Sequence, residues 1–476
     1  MDGRQHSASG ASKNREGRVI PMMIERYIDN YLPVSATPVK QEYYFDTASR
    51  LMACAGQRDW AEEDFHAMEF LSKRVEISRC VYVGYLEDGA RASSNRLPTE
   101  LLPLALLLLF KDFRRLSASG VSAGAIKRLN ATLKLLDCLS AEKVMPAQEL
   151  VTMINMEAAL FLETLQPVQS RPTEELVTAV DIAANTSLPL TVLFWEGPIA
   201  RAYLATMKSM GLRPERIIHM VSRNDLSTKK PVGRFLPGVM KLAYAQSKQK
   251  SSIHHWAAVL QKTETALYQQ IRSTVENSLV FSKEVIDDAL ALGDLGEYSS
   301  NVETLMIDNL ADKALHSRLA ALPETQILFT GGGIVPKSLL KITSLKFIHI
   351  HPGYLPEVRG ADCALWSQLM RGRTSATCFY MAPGIDDGDV ILAGYLPSLN
   401  FNIAIAEISS KTLYRSTYAF FDPWIRSCVL RRALALTEGF TRVDAYPQAE
   451  QSSVTYHFMH EKIQTAAFGR LFVSAP

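Results

Sequence analysis

The chain has 476 residues, of which 47% are hydrophobic and 21% charged, a balance that is typical of a soluble globular protein. At roughly 100–200 residues per domain, this length predicts two or three domains. The 51 Lys and Arg residues nearly balance the 49 Asp and Glu residues, so the overall charge does not support a general polyanion-binding surface. We therefore expect no nucleic-acid partner.

The first part of the chain carries no targeting or membrane signal. Residues 1–18 are polar, lack an apolar targeting core, and are predicted to be a disordered tail. The strongest apolar run, Leu101–Phe110, has ten residues, whereas a membrane-spanning helix needs about 20. Six scattered cysteines without a CxxC pair favour free thiols in a reducing compartment. These features predict a cytoplasmic protein without a membrane partner.

Residues 19–170 read as an all-α domain. Segments such as Ala61–Ile77 and Ala123–Leu139 place apolar residues at three- and four-residue spacing, which predicts amphipathic helices. We find no catalytic motif there, and two prolines in Gln166–Glu175 mark its end. Such a domain could bind a carrier protein or mediate self-association, and the sequence does not choose between these roles.

An alternation of strands and helices begins after this boundary. Leu190–Phe194 is a short apolar run of strand length, a helical segment follows, and Arg216–Ser222 reads as a second strand. Strand, helix and strand in this order predict a Rossmann-like parallel sheet, which we expect to extend over residues 186–397. Residues 398–476 are then a C-terminal extension.

One long amphipathic helix is predicted between Arg223 and Glu297, with His254 and His255 near its start. Adjacent residues on a helix point about 100° apart, so the two side chains are a poor pair of metal ligands. We interpret them as partly exposed residues at the beginning of the helix.

The strands that follow place two histidines and an aspartate close together. Lys346–His351 is predicted to be a strand, and because strand side chains alternate, His349 and His351 point to the same face. A further strand, Ser375–Met381, leads into an acidic turn that contains Asp386. The carboxyl ends of strands in α/β proteins carry ligand sites, so these side chains are candidates for proton transfer.

The run HIHPGYLPEVRGADCALWSQLMRGRTSATCFYMAPGIDDGDVI, which begins at His349, resembles the motif of folate-dependent formyltransferases and formyltetrahydrofolate hydrolases. That motif reads Asn-Ile-His-Pro, then Leu-Pro, Arg-Gly and a glycine-rich turn with an aspartate. The resemblance implies that His351 and Asp386 are catalytic residues and that His349 occupies the position of the asparagine. Since histidine can also donate a hydrogen bond, His349 is expected to serve as an oxyanion donor.

An upstream loop resembles the segment that lines the pterin site in this family. Its residues are predicted to bind the cofactor: Gly331, Gly332, Gly333, Ile334 and Pro336. Arg359 either positions a substrate anion or fastens its loop. The family uses no metal, so no metal site is expected.

The resemblance implies an N-formyltransferase that moves a formyl group from 10-formyltetrahydrofolate to the amine of a small molecule. A formyltetrahydrofolate hydrolase and a non-catalytic folate-fold scaffold remain alternatives. Formylation of methionyl-tRNA is not expected, because that enzyme begins with its Rossmann domain and ends in a basic β-barrel. Here the Rossmann pattern begins near residue 190.

Overall fold

A computed structural model describes residues 102–141, 148–168, 176, 186–399, 401, 403–449 and 453–472. The predicted tail over residues 1–18 and the first part of the predicted helical domain lie outside the described residues. Contacts between residues divide the chain into two compact units. One unit contains Met1–Leu165 and His457–Ile463, and the other contains Gln166–Tyr456 and Gln464–Pro476. The four-part division expected from the sequence stays a prediction.

The described part of the first unit is helical, as the spacing of its apolar residues predicts. Its helices are α1 (Leu102–Ala118), α2 (Ser122–Ala141) and α3 (Gln148–Thr164). A buried ion pair joins α1 to α2, with Arg128 Nε 2.7 Å from Asp112 Oδ2. The Asn130 side chain binds the backbone of the later segment at Phe458 O and His460 N. No described helix is both long and apolar enough to cross a membrane.

The second unit is built on a seven-stranded sheet. Its first elements are β1 (Thr186–Trp195), α4 (Pro198–Ser209), β2 (Leu212–Ser222), α5 (Gly238–Thr263), α6 (Thr265–Ser278), α7 (Lys283–Ala291), β3 (Val302–Ile307), α8 (Lys313–Ala320) and β4 (Thr325–Phe329). There follow α9 (Lys337–Leu340), β5 (Leu345–His351), β6 (Arg359–Gly360), α10 (Cys363–Arg371), β7 (Ser375–Tyr380), β8 (Val390–Tyr395), α11 (Ser410–Ser416), α12 (Asp422–Leu436), β9 (Thr455–Tyr456) and α13 (Glu461–Leu471).

The strand order is β3-β2-β1-β4-β5-β7-β8. The strands β1 to β5 run parallel, and β7 pairs antiparallel with both β5 and β8. The predicted Rossmann-like sheet is therefore confirmed. Parallel strands are covered on both faces, which explains why Val192–Phe194 of β1 and Ile327–Phe329 of β4 are apolar and buried. The chain leaves β1 in one direction and later returns to β4 on its other side, so the order reverses between these two strands.

Helices cover both faces of this sheet. On one face, Ile218, Ile327 and Phe347 from three strands pack with Leu315 and Leu319 of α8 in a single buried cluster. Two further helices, α4 and α12, pack against each other. Most residues of α12 are buried around its whole circumference, so it lies inside the unit and presents no polar face.

The prediction of one long helix between Arg223 and Glu297 is wrong, because the structure has two helices, α5 and α6, in its place. The prediction that His254 and His255 lie near the start of the helix is also wrong. The helical pattern runs on through Glu264, but the backbone leaves the helix there, and α5 and α6 are separate elements. His254 lies in the second half of α5 and its side chain is only 12% exposed, because it binds Glu196. His255 is exposed and contacts the ring of Trp256.

Candidate active site

The loops that follow β1 and β4 meet where the strand order reverses, which is the usual place for a ligand crevice in an open α/β sheet. The Thr330 hydroxyl joins them, since it accepts a hydrogen bond from Trp195 N at 3.0 Å and donates to Leu193 O at 3.2 Å. The next strand, β5, ends at His351, so its carboxyl end lies at the same edge of the sheet.

His351 and Asp386 come together as the sequence pattern predicts. His351 is buried, with Nδ1 at 3.4 Å from Asp386 Oδ1 and Nε2 at 3.0 Å from Val358 O. Both neighbours are hydrogen-bond acceptors, and only the doubly protonated ring can donate to both. The second carboxylate oxygen of Asp386 accepts the backbone N–H of Gly360 at 2.8 Å.

Asp386 is held as an anion. Burial alone would raise its pKa, but the charge and hydrogen bond of His351 and the N–H of Gly360 outweigh it and hold the pKa well below its usual range. The residue sits in the turn after β7 with a φ of 48°, a left-handed conformation that Asp tolerates better than most side chains. The neighbouring Asp387 binds only the turn, accepting the N–H of Gly388 at 3.0 Å.

His349 has different surroundings from His351. Its Nδ1 lies 3.2 Å from Phe329 O at the end of β4, and its ring packs near the aromatic rings of Phe329 and Phe379. Burial, followed by the positive charge of Arg426, lowers the pKa of His349 to about 4. The ring is therefore neutral near pH 7, although part of its surface remains accessible.

The buried ion pair between Asp422 and Arg426, which contacts β5, was not predicted from the sequence. Arg426 of α12 donates from Nη1 to Ile350 O at 2.8 Å, which is the carbonyl between the two histidines. Its Nε binds Asp422 Oδ2 at 2.9 Å, and Asp422 is completely buried. The four-residue spacing of this pair is an ordinary helix signal. The sequence alone does not show that this pair contacts β5, because β5 ends 71 residues before α12 begins.

Arg359 fastens the loop that carries Asp386. Its Nη2 binds Gln448 Oε1 at 2.6 Å, and the amide nitrogen of Gln448 donates to Asp386 O at 3.0 Å and to Gly388 O at 2.8 Å. Of the two roles considered for Arg359, these contacts favour loop positioning.

The glycine-rich loop after β4 has an open outer part. A Cβ at Gly331 would press against the ring of Phe329, whereas Gly332 and Gly333 have no atom near a Cβ position. Gly333 has a φ of 93°, which a residue with a side chain rarely adopts. Ile334 is 69% exposed, and Pro336 leads into α9. This shape suits the close approach of a flat ligand, and the role of these residues in cofactor binding stays a prediction.

The described residues offer neither a cluster of metal ligands nor, at Cys428, a thiol that is activated as a nucleophile. Within the described residues, no group of three or more His, Cys, Asp or Glu side chains could hold a metal ion. Three buried cysteines, Cys363, Cys378 and Cys428, are free thiols, while Cys54 and Cys80 lie outside the described residues. Burial raises the pKa of the Cys428 thiol to about 12, so this thiol is not poised as a nucleophile.

Comparisons with known proteins give partial matches. No protein-family model matches the chain. A stretch of 105 residues, 21% of the chain, is 33% identical to methionyl-tRNA formyltransferase of Clostridioides difficile (strain 630) and covers 33% of that protein. Another match, to methionyl-tRNA formyltransferase of Syntrophus aciditrophicus (strain SB), is 38% identical over 77 residues and covers 16% of this chain and 24% of that protein.

Among solved structures, a sugar N-formyltransferase from Shewanella sp FDAARGOS_354 matches 60% of this chain and 88% of its own, with 11% identity and a TM-score of 0.31. This chain spans about a third or less of the length of the two curated relatives described above. The sequence matches confirm the resemblance that the motif carries: this chain contains a segment related to the formyltransferase superfamily.

Proposed function

We propose that this protein is an N-formyltransferase that uses 10-formyltetrahydrofolate as the formyl donor and a small-molecule amine as the acceptor. The observation that carries the proposal is the His351–Asp386 pair at the carboxyl end of β5, in the segment whose motif resembles the formyltransferases. His349 lies on the same face of this strand, two residues before His351.

The reaction needs a negative charge to be stabilised and a proton to be moved. When the amine attacks the formyl carbon, a tetrahedral oxyanion forms, and the folate N10 then leaves. Preorganised charge and hydrogen-bond donors at such an oxyanion contribute about 3–4 kcal/mol each. His351 lies at this edge of the sheet, with its two ring nitrogens beside Val358 O and the Asp386 carboxylate. Asp386 keeps that ring oriented and places a negative charge beside it.

The formyl donor would be held by the loop of Gly331–Pro336. Gly332 and Gly333 leave the backbone accessible, and the exposed Ile334 offers an apolar surface for a flat pterin ring. The loop begins directly after β4, whose neighbour in the sheet is β5, so a donor bound there would present its formyl group toward the end of β5.

The acceptor is proposed to be a small molecule. The curated relatives are named for methionyl-tRNA, but this chain spans only a third or less of their length. Its near balance of 51 basic and 49 acidic residues offers no general surface for RNA. The helical unit could add a carrier-protein or self-association surface.

An assay of the full-length protein with 10-formyltetrahydrofolate tests this proposal. Amino sugars, amino acids and methionyl-tRNA would be offered separately, with tetrahydrofolate release and the formylated product measured together. We expect tetrahydrofolate and a formylated small amine in equal amounts. Equal amounts of tetrahydrofolate and free formate, without any acceptor, would identify a hydrolase instead. No turnover and no folate binding would support the scaffold alternative.

A further inference from the structure

The His349 ring is oriented by a backbone carbonyl. Its Nδ1 lies 3.2 Å from Phe329 O, which can only accept a hydrogen bond. The contact is therefore an Nδ1–H donation. A neutral imidazole carries a single N–H, so the other nitrogen, Nε2, must hold a lone pair. In this tautomer His349 offers an acceptor to a ligand, whereas an asparagine amide at the same position would offer a donor.

Burial and the charges around His349 keep it neutral. Arg426 of α12 donates from its guanidinium to Ile350 O, the carbonyl of the next residue, and its positive charge acts on the ring. Asp386, from the turn after β7, and His351, on the same strand, are the other charged groups that act on it. Burial and the nearby cations oppose a further positive charge on the ring, and they outweigh the attraction of the single carboxylate.

His351 cannot take over the acceptor role. Its Nε2 and Nδ1 both lie beside oxygen acceptors, at 3.0 Å from Val358 O and 3.4 Å from Asp386 Oδ1. Neither nitrogen therefore presents a lone pair to a substrate. Of the four ring nitrogens on this face of β5, His349 Nε2 is the one whose protonation state suits it to receive a proton.

We propose that His349 accepts a hydrogen bond, and then the proton, from the attacking amine, and so acts as a proton shuttle in place of an oxyanion donor. The inference rests on the proposed formyl transfer. The amine lone pair forms the new C–N bond, and the carbonyl electron pair moves to oxygen. Nε2 takes the proton that the amine nitrogen must lose. The C=O bond re-forms as the C–N10 bond breaks, and N10 keeps the bond pair and receives the proton from Nε2.

The tautomer can be measured without any turnover. Full-length protein labelled with [15N]histidine would be examined by NMR at pH 7, and the signals of His349 among the ten histidines would be assigned by their loss in His349→Asn. We expect a protonated Nδ1 and an unprotonated Nε2. An Nε2–H ring, or a doubly protonated ring, would overturn the proposal whether or not formyl transfer is found.

The shuttle itself is tested by kinetics on the same proteins. Asparagine can donate a hydrogen bond but cannot take up a proton near neutral pH. We therefore expect His349→Asn and His349→Ala to lower kcat alike, by about 10²-fold. The control His255→Asn changes an exposed histidine on α5 and should leave kcat unchanged. Turnover of His349→Asn within about threefold of the wild type would disprove the shuttle. If the wild type shows no formyl transfer, the proposed function fails, and the NMR result still decides the tautomer.

Discussion

Two histidines that lie two residues apart on one strand have different hydrogen-bond partners around their rings. His351 contacts a carboxylate and a carbonyl, and both favour a ring that donates from both nitrogens. His349 contacts one carbonyl and two aromatic rings, with Arg426 close behind the strand. Groups whose environments drive their protonation apart are a common basis for dividing acid and base roles in one site.

Asp386 should be needed for turnover because it orients the His351 ring and places a negative charge beside it. Asp386→Asn keeps an oxygen that can accept the N–H of Gly360 but removes the negative charge. We expect kcat to fall by about 10²–10⁴-fold while folate binding stays near the wild-type value. Asp387→Asn is the matched control, since Asp387 only binds the turn at Gly388. Equal turnover of the two variants would show that Asp386 has no catalytic role.

Local pattern alone was enough to predict part of this site. Alternation along β5 predicts that His349 and His351 share a face, and the turn after β7 predicts a neighbouring aspartate, which the structure places beside His351. The ring partners were not predictable. Phe329 O is 20 residues away from His349 and Arg426 is 76 residues away from Ile350, and no residue spacing encodes such contacts.

The helix α12 belongs to the α/β unit, but the sequence pattern does not predict it. Its residues are buried around most of its circumference, so it has no amphipathic stripe that would mark it in the sequence. The strands β1, β2, β5 and β7 were predicted from their sequence patterns, whereas α5 and α6 were predicted as a single helix. The helix α12 lies within the predicted C-terminal extension. It nevertheless belongs to the core of the α/β unit, because most of its residues are buried and Arg426 binds the backbone of β5.

Breaking the Asp422–Arg426 pair should cost far more stability than replacing both residues. Arg426→Met leaves the fully buried Asp422 without its cation, and we expect a loss of about 3–5 kcal/mol in the free energy of unfolding. Asp422→Leu combined with Arg426→Met removes both charges and should recover at least about 1 kcal/mol of that loss. Urea unfolding measures both values. A double variant less stable than Arg426→Met would contradict the uncompensated-charge explanation.

A second buried ion pair fixes the end of β1 to α4 and α5. Glu196 binds Arg201 through both oxygens at 2.9 and 2.7 Å and lies 3.0 Å from His254 Nε2. Burial would raise the pKa of Glu196, but these two partners outweigh it and lower the pKa to about 2. The pKa is thus below its unfolded value, so the stabilisation is present above about pH 4.5 and is lost as the pH falls toward 2.

This pair should make the stability of the protein depend on pH in a defined direction. The shift in the pKa of Glu196 from 4.5 to about 2 corresponds to roughly 3 kcal/mol at pH 7. Glu196→Gln is expected to be less stable than the wild type at pH 7, and the difference should shrink by about 2 kcal/mol at pH 3. Urea unfolding at the two pH values measures this change. A difference that does not vary with pH would show that Glu196 titrates normally in the folded protein.

At the scale of the α/β unit, the candidate site depends on the order of the strands. The reversal between β1 and β4 brings the loop at Glu196 beside the loop at Gly331, and β5 and β7 add the histidines and Asp386. Periodicity predicts the strands β1, β2, β5 and β7, and the alternation of strands with helices predicts a parallel sheet, but the order of the strands in the sheet was not predicted. Every residue named for the proposed reaction lies in the α/β unit, so we expect substrate binding to depend on this unit.

Binding of a non-reactive folate should therefore depend on the glycine loop of the α/β unit. We expect 5-formyltetrahydrofolate to bind saturably in a calorimetric titration and, at a hundred times its Kd, to stabilise the α/β unit by about 2.7 kcal/mol. Gly333→Ala should weaken binding at least tenfold, because a side chain at a φ of 93° shifts the loop backbone. Gly120→Ala is the matched control. Gly120 has a φ of 73°, likewise has no atom near its Cβ position, and lies between α1 and α2 in the helical unit. Equal Kd values for the two variants would place the folate elsewhere, and no saturable binding to the wild type would remove the basis for formyl transfer.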